Sequence, residues 1–165
     1  MLLSKHNSLK NLFIIISFTL FSILSVSTTW AAPSTITFND LSSPDRNLTG
    51  QYPTSVIDWG TSKWWLSSAW GGFTTNSISY LNASTTSQTF SFLTPRRLIS
   101  LDVYNGGSSS TTVTLSCSGN TTRSQVVNSQ QTLTIATNWT NTCTTITLSN
   151  TNGWWANFDN LVITN

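Results

Sequence analysis

Apolar residues alternate with hydroxyl-bearing ones along most of this chain, and that period of two restricts its fold more than any other feature. Thr112-Val113-Thr114-Leu115-Ser116-Cys117, Gln131-Thr132-Leu133-Thr134-Ile135 and Thr145-Ile146-Thr147-Leu148 are the clearest runs. Successive side chains of an extended chain point to opposite faces, so each run reads as a strand with one buried and one solvated face. Similar short runs lie at residues 35–38, 56–59, 64–67, 77–81, 89–93, 98–104, 123–127 and 158–164. Asn105-Gly106-Gly107, Ser118-Gly119-Asn120, Asn128-Ser129 and Asn152-Gly153 punctuate them with residues that tolerate positive φ. No segment carries a helical period. About ten short strands without crossover helices predict an all-β, antiparallel β-sandwich, with a jelly roll as the expected arrangement. Thr and Ser make up roughly a third of residues 32–165, a composition that suits solvent-facing pleated surfaces without charge.

The N-terminus sets the expected compartment. Lys5 and Lys10 precede an apolar run at residues 12–26, which leads into Thr29-Trp30-Ala31. A basic start, an apolar middle and small residues at the end read as a secretory signal peptide, residues 1–31, cleaved after Ala31. The alternative, an uncleaved anchor, has a run shorter than the ~20 residues a spanning helix needs, interrupted by Ser17, Thr19 and Ser22. Residues 32–165 are then a single secreted domain, extracellular or periplasmic, with no stable membrane insertion after cleavage. Lys5, His6 and Lys10 leave with the leader, so Arg46, Lys63, Arg96, Arg97 and Arg123 balance five aspartates. A formally neutral domain without a basic stripe has no means of neutralising a run of phosphates, and nucleic acid is not an expected partner. Cys117 and Cys143 form an even pair with no histidine nearby, which in an exported protein reads as a disulfide, with two buried thiols as the alternative. Closing that loop is worth roughly 3 kcal/mol on the chain-entropy account.

Residues 32–165 contain no histidine and no glutamate. Ser-His-Asp and Cys-His nucleophilic sites and histidine-ligated zinc are thereby removed, and the expectation is a domain that is not an enzyme. A glycosidase needs only two flanking carboxylates, and Asp40, Asp45, Asp58, Asp102 and Asp159 are the set available for that alternative.

Tryptophan carries the positive signal, with seven beyond the leader: Trp59, Trp64, Trp65, Trp70, Trp139, Trp154 and Trp155. An indole face stacks on the C–H face of a sugar ring while polar groups bond the hydroxyls around its edge. Trp59 shares strand parity with Ile57 and is expected in the core, while the setting of Trp139 leaves its burial open. In the doublets Trp64-Trp65 and Trp154-Trp155, adjacent side chains of extended chain point apart, so one member of each is expected to face out. Trp65 and Trp155 are the expected outward members, and Trp70 joins them because Trp70-Gly71-Gly72-Phe73 reads as a loop. In the strand 98–104, Ile99, Leu101 and Val103 share the inward parity, which turns Asp102 and Tyr104 outward as candidate ligand contacts. Arg97, after Pro95, is a candidate for sugar hydroxyls or an acidic uronate, or equally a loop cap.

Ile36-Thr37-Phe38-Asn39-Asp40-Leu41 and Asn157-Phe158-Asp159-Asn160-Leu161-Val162-Ile163 resemble the first and last strands of galactose-binding-like jelly-roll modules, a fold shared by many carbohydrate-binding modules. The segments at residues 50–60, 70–71 and 94–98 also resemble domains of unknown function in bacterial secreted multidomain proteins. The first resemblance implies a structural calcium ion held by Asp159 with Asn39 or Asp40. Oxygen-only ligands suit that hard cation, and an aspartate bonding a turn is the alternative. Together these readings predict a non-catalytic, lectin-like domain that binds a polysaccharide or glycan. The alternative is a structural or adhesive domain whose aromatics are core and whose partner is another protein.

Overall fold

The computed structural model describes residues 31–165; residues 1–30 of the predicted signal peptide lie outside the described residues. Eleven strands follow in chain order: β1 (Ser34–Ile36), β2 (Arg46–Leu48), β3 (Ile57–Asp58), β4 (Trp64–Ser67), β5 (Ser77–Tyr80), β6 (Ser87–Asn105), β7 (Thr111–Cys117), β8 (Arg123–Val127), β9 (Thr132–Ala136), β10 (Cys143–Ser149) and β11 (Ala156–Thr164). One 3-10 turn, Gly153–Trp155, is the sole helical element among the described residues. The fold is all-β, and every strand pairing is antiparallel.

The pairings form two groups that share β6. In the first the order is β2-β4-β5-β11-β6, with β1 added to β11 and β9 to β6; in the second it is β6-β10-β7-β8, with β3 added to β6. The runs at 89–93 and 98–104, separate in the sequence reading, are one continuous strand. Its first part pairs with β10 and β3, as in Phe90 opposite Ile146 and Phe92 opposite Ile57. Its second part pairs with β11 and β9, as in Val103 opposite Phe158 and Leu133. Pro95 lies where the register against β10 shifts, between Ser91 and Arg96. A residue without an N–H is tolerated in a strand where the ladder is interrupted.

Alternation decides which face each strand buries. β7 buries Val113, Leu115 and Cys117 and leaves Thr112, Thr114 and Ser116 half-buried. Trp64 and Leu66 of β4 are buried while Trp65 and Ser67 are half-buried. Trp59 and Trp64 meet edge to face at 5.5 Å and are both fully buried. Each indole N–H finds a carbonyl, Tyr52 at 2.6 Å and Thr89 at 3.2 Å, which removes the cost of burying that donor. Trp139 is buried too, donating to the Thr121 carbonyl at 2.7 Å. Large apolar side chains of this kind contribute about 1.5–3 kcal/mol each when fully buried.

The expected parity of β6 fails at one point. Leu98 is fully buried and Ile99 only half-buried, the reverse of the alternation expected there. Between Val162 and Ile163 of β11 the partner strand advances two residues, from Ser100 to Leu98. That extra residue is a bulge at Ile99, and an extra residue flips the facing of everything beyond it.

Cys117 and Cys143 are joined in a disulfide spanning 26 positions, at the end of β7 and the start of β10. Among the described residues no helix is long and apolar enough to cross a membrane. Replacing both cysteines by serine should destabilise the domain by roughly 3 kcal/mol and lower its melting temperature by about 10 °C; thermal denaturation of the variant beside the oxidised parent reads this directly.

Candidate functional site

The outward face of β4, β5 and β11 forms the floor of the site. Trp65 stands opposite Ser79 and Ser67 opposite Ser77 across the β4–β5 pair. Asn157, on the adjoining β11, donates its side-chain amide to the Ser77 hydroxyl at 2.8 Å. Ser77, Ser79 and Asn157 are all buried although they point away from the apolar core, because loops rise over this part of the sheet. One of those loops is the turn at Trp70, closed by a bond from the Phe73 N–H to the Trp70 carbonyl at 3.1 Å, with Gly71 at φ 61°. The other is the 3-10 turn that presents Trp154 and Trp155.

Between the loops and the floor lies a cleft of about 250 Å³ bordered by Trp65, Trp70, Trp154 and Trp155. Trp70 and Trp155 are 6.1 Å apart between ring centroids, and Trp154 and Trp155 are 6.3 Å apart and nearly perpendicular. Trp70, Trp154 and Trp155 are 37%, 45% and 49% exposed. The indoles of the core and of the cleft differ in one chemical respect. Trp59, Trp64 and Trp139 all donate their N–H to a backbone carbonyl. Among the described residues, none of the four cleft indoles has a protein acceptor for its N–H.

Small residues hold Trp70 in place. A Cβ on Gly106 would stand 2.0 Å from the outer edge of the Trp70 ring, and one on Gly71 or Gly72 would strike Tyr104. Trp70 therefore lies against bare backbone and meets Tyr104 edge to face at 5.4 Å. The Gly106 N–H bonds the Trp155 carbonyl at 2.8 Å, which ties the β6–β7 loop to the 3-10 turn. Asn150 supports that turn from beneath, donating to the Gly153 carbonyl and accepting from the Asn152 N–H.

Among the described residues, the one ionisable side chain bordering the cleft is Asp45. It adopts φ 62°, and its Oδ1 accepts from the Ser68 N–H at 3.0 Å and the Ser68 hydroxyl at 3.1 Å. Its other oxygen accepts from no protein donor among the described residues. Indole faces and N–H groups, a fixed carboxylate and hydroxyls at the floor are an apolar platform with a few placed polar groups, the general form of a small-molecule site.

The structure brings Trp65, Trp70 and Trp155 to this one cleft and leaves the other candidates outside it. Tyr104 is buried, not outward in solvent: its parity is that of the cleft floor, opposite Asn157, but the Gly71-Gly72 backbone covers it and its hydroxyl donates to Gln130 at 2.5 Å. Asp102 is half-buried and occupied, accepting from Thr134 at 2.5 Å and from the Asn160 side chain at 2.8 Å. Arg97 lies in β6 opposite Thr164, away from the cleft. Strand parity makes Trp154 the inward member of its doublet. Both members are exposed because the pair sits in a 3-10 turn, where neighbouring side chains do not alternate.

The residues proposed for calcium lie elsewhere on the molecule. Asp159 is buried and accepts from the Asn160 N–H at 2.7 Å and the Thr75 hydroxyl at 3.3 Å; burial raises its pKa above the usual carboxylate value. Asp40 is exposed and accepts from Tyr52, whose hydroxyl also lies 2.5 Å from the Thr37 carbonyl. The Tyr52 hydroxyl titrates above its ordinary range, from burial first, then from its hydrogen bond to Asp40 and the charges of Asp40 and Asp159. Asn39 is exposed beside it. The oxygen-only chemistry fits a hard cation, although among the described residues no group of three or more His, Cys, Asp or Glu side chains is arranged to hold a metal.

No protein family model matches the chain, and no curated protein matches it in sequence. The geometry of the cleft makes a prediction independent of any ligand. Gly106→Ala should swing Trp70 out of place, changing the near-ultraviolet circular dichroism while costing no more than about 1–3 kcal/mol in stability.

Proposed function

We propose that this chain is a secreted, non-catalytic carbohydrate-binding domain that stacks a glycan on the indoles of the Trp65, Trp70, Trp154 and Trp155 cleft. The observation that carries the reading is the division of the tryptophans. Three are buried with their N–H bonded to backbone, and four border an open cleft with that donor unused. Core packing accounts for the first set. It does not account for the second, since exposed, contiguous apolar surface in a folded domain is a mark of a binding site. Ser67, Ser79, Asn157 and Asp45 supply hydroxyl, amide and carboxylate partners for sugar hydroxyls. The non-catalytic part of the proposal rests on Asp45 being the single carboxylate at the cleft among the described residues, where glycoside hydrolysis requires two.

The rest of the proposal stands on the resemblance already described. The antiparallel sheet is compatible with a β-sandwich, and we read it as a jelly roll of galactose-binding-like kind. The disulfide supports an oxidising compartment, hence secretion. Calcium, held by Asp159 with Asn39 or Asp40, would stabilise the meeting of the first and last strands.

Residues 32–165, tested on a glycan array and in polysaccharide pull-downs with and without calcium, should bind a glycan. Trp65→Ala, Trp70→Ala and Trp155→Ala should each weaken that binding tenfold or more, about 1.4 kcal/mol, with the far-ultraviolet spectrum unchanged. No binding to any glycan in either condition would overturn the reading and direct the search to protein partners. Calcium at one hundred times its Kd should stabilise the domain by about 2.7 kcal/mol in thermal melts, and Asp159→Asn should abolish that gain; melts identical in calcium and chelator would remove the ion from the proposal.

A further inference from the structure

Trp155 borders a second cleft. Gly106, Gly107, Ser108, Ser109 and Asn152 enclose with it a space of about 330 Å³. Hydrogen bonds tie the backbone walls of this space to the β8–β9 turn. The Gly106 carbonyl accepts from the Gln130 side chain at 2.9 Å, and the Gly107 carbonyl accepts from the Ser129 hydroxyl at 2.6 Å. Asn152 donates its amide hydrogens to Asn105 and to the Ser109 carbonyl. The Ser108 and Ser109 hydroxyls and the Asn152 side-chain oxygen have no protein partner among the described residues. Unused hydroxyls and an amide oxygen beside an exposed indole repeat, on a smaller scale, the chemistry of the first cleft.

Charge narrows what fits. Among the described residues that border the two clefts, Asp45 is the one ionisable side chain, and no Lys or Arg stands at either. A carboxylate accepts hydrogen bonds from neutral hydroxyls and repels carboxylates, sulfates and phosphates.

We propose that the two clefts are consecutive subsites for one neutral glycan chain, which crosses Trp155 so that adjacent sugar residues occupy its two sides. The inference rests on the carbohydrate reading and adds chain length and charge to it. A single sugar fills one cleft; a linear oligosaccharide of two or more residues engages both. Acidic glycans, which Arg97 alone among the sequence candidates could have served, are disfavoured because that arginine lies away from both clefts.

Titration calorimetry of residues 32–165 with cello-, manno- and galacto-oligosaccharides of one to four residues, and with trigalacturonate, tests this. For the sugar series that binds, affinity should rise roughly tenfold between one residue and two or three, and trigalacturonate should bind at least tenfold more weakly than a neutral trimer. Ser108→Phe and, separately, Ser109→Phe fill the second cleft from exposed loop positions. Each should bring the ratio of trimer to monomer affinity down toward one, with the thermal melt confirming a folded domain. Equal affinity for monomer and trimer in the parent, a ratio that survives both substitutions, or preference for the uronate would overturn the two-subsite inference while leaving the carbohydrate reading in place. Failure of every sugar to bind would overturn both.

Discussion

The hydrogen bonds of β6 hold the molecule together. Its nineteen residues pair with β3 and β10 along one part and with β9 and β11 along the other, so each pairing group depends on it for its position. The strand ends at Asn105, buried, with its side-chain amide bonded to the carbonyls of Ser109 and Val127. From that fixed end the backbone leads directly into Gly106 and Gly107, against which Trp70 and the second cleft are built. The cleft is thus placed by the most extensively paired strand of the fold, not by a loop left to itself.

The candidate site works through a contrast between two environments for one side chain. An indole in the core must find an acceptor for its N–H, since leaving a buried donor unpaired is costly. An indole at a cleft leaves that donor open to solvent and loses little by it, because water can accept the bond. Trp64 and Trp65, adjacent in sequence, fall on opposite sides of this division: the first donates to Thr89 from within the core, the second borders the cleft. Strand geometry alone separates them.

That separation is also where the sequence was most readable. A period of two exposes the strands, and the Trp64-Trp65 doublet can be divided because β4 is regular. The same reasoning applied to Trp154-Trp155 presumes extended chain, and the 3-10 turn that replaces it leaves both rings outward. Gly153 was the available signal, at φ 61° with a Cβ position 2.4 Å from the Ala83 carbonyl, and it marks a turn tucked beneath another loop. Tyr104 shows a different limit. Its facing follows from alternation, but whether an outward residue meets solvent depends on what folds over it, here a Gly71-Gly72 segment thirty-odd positions away. Ile99 and Leu98 exchange places because one extra residue opposite β11 resets the alternation, and no composition rule announces a bulge.

The disulfide stands at the far end of β7 and β10 from the loop that follows Ser149. Six steps of extended chain place Cys143 about 20 Å from that loop. The covalent tie and the candidate clefts are therefore segregated along the length of two strands. A change in the loops beside the clefts therefore falls far from the covalent tie, and the framework is held independently of the residues that border them.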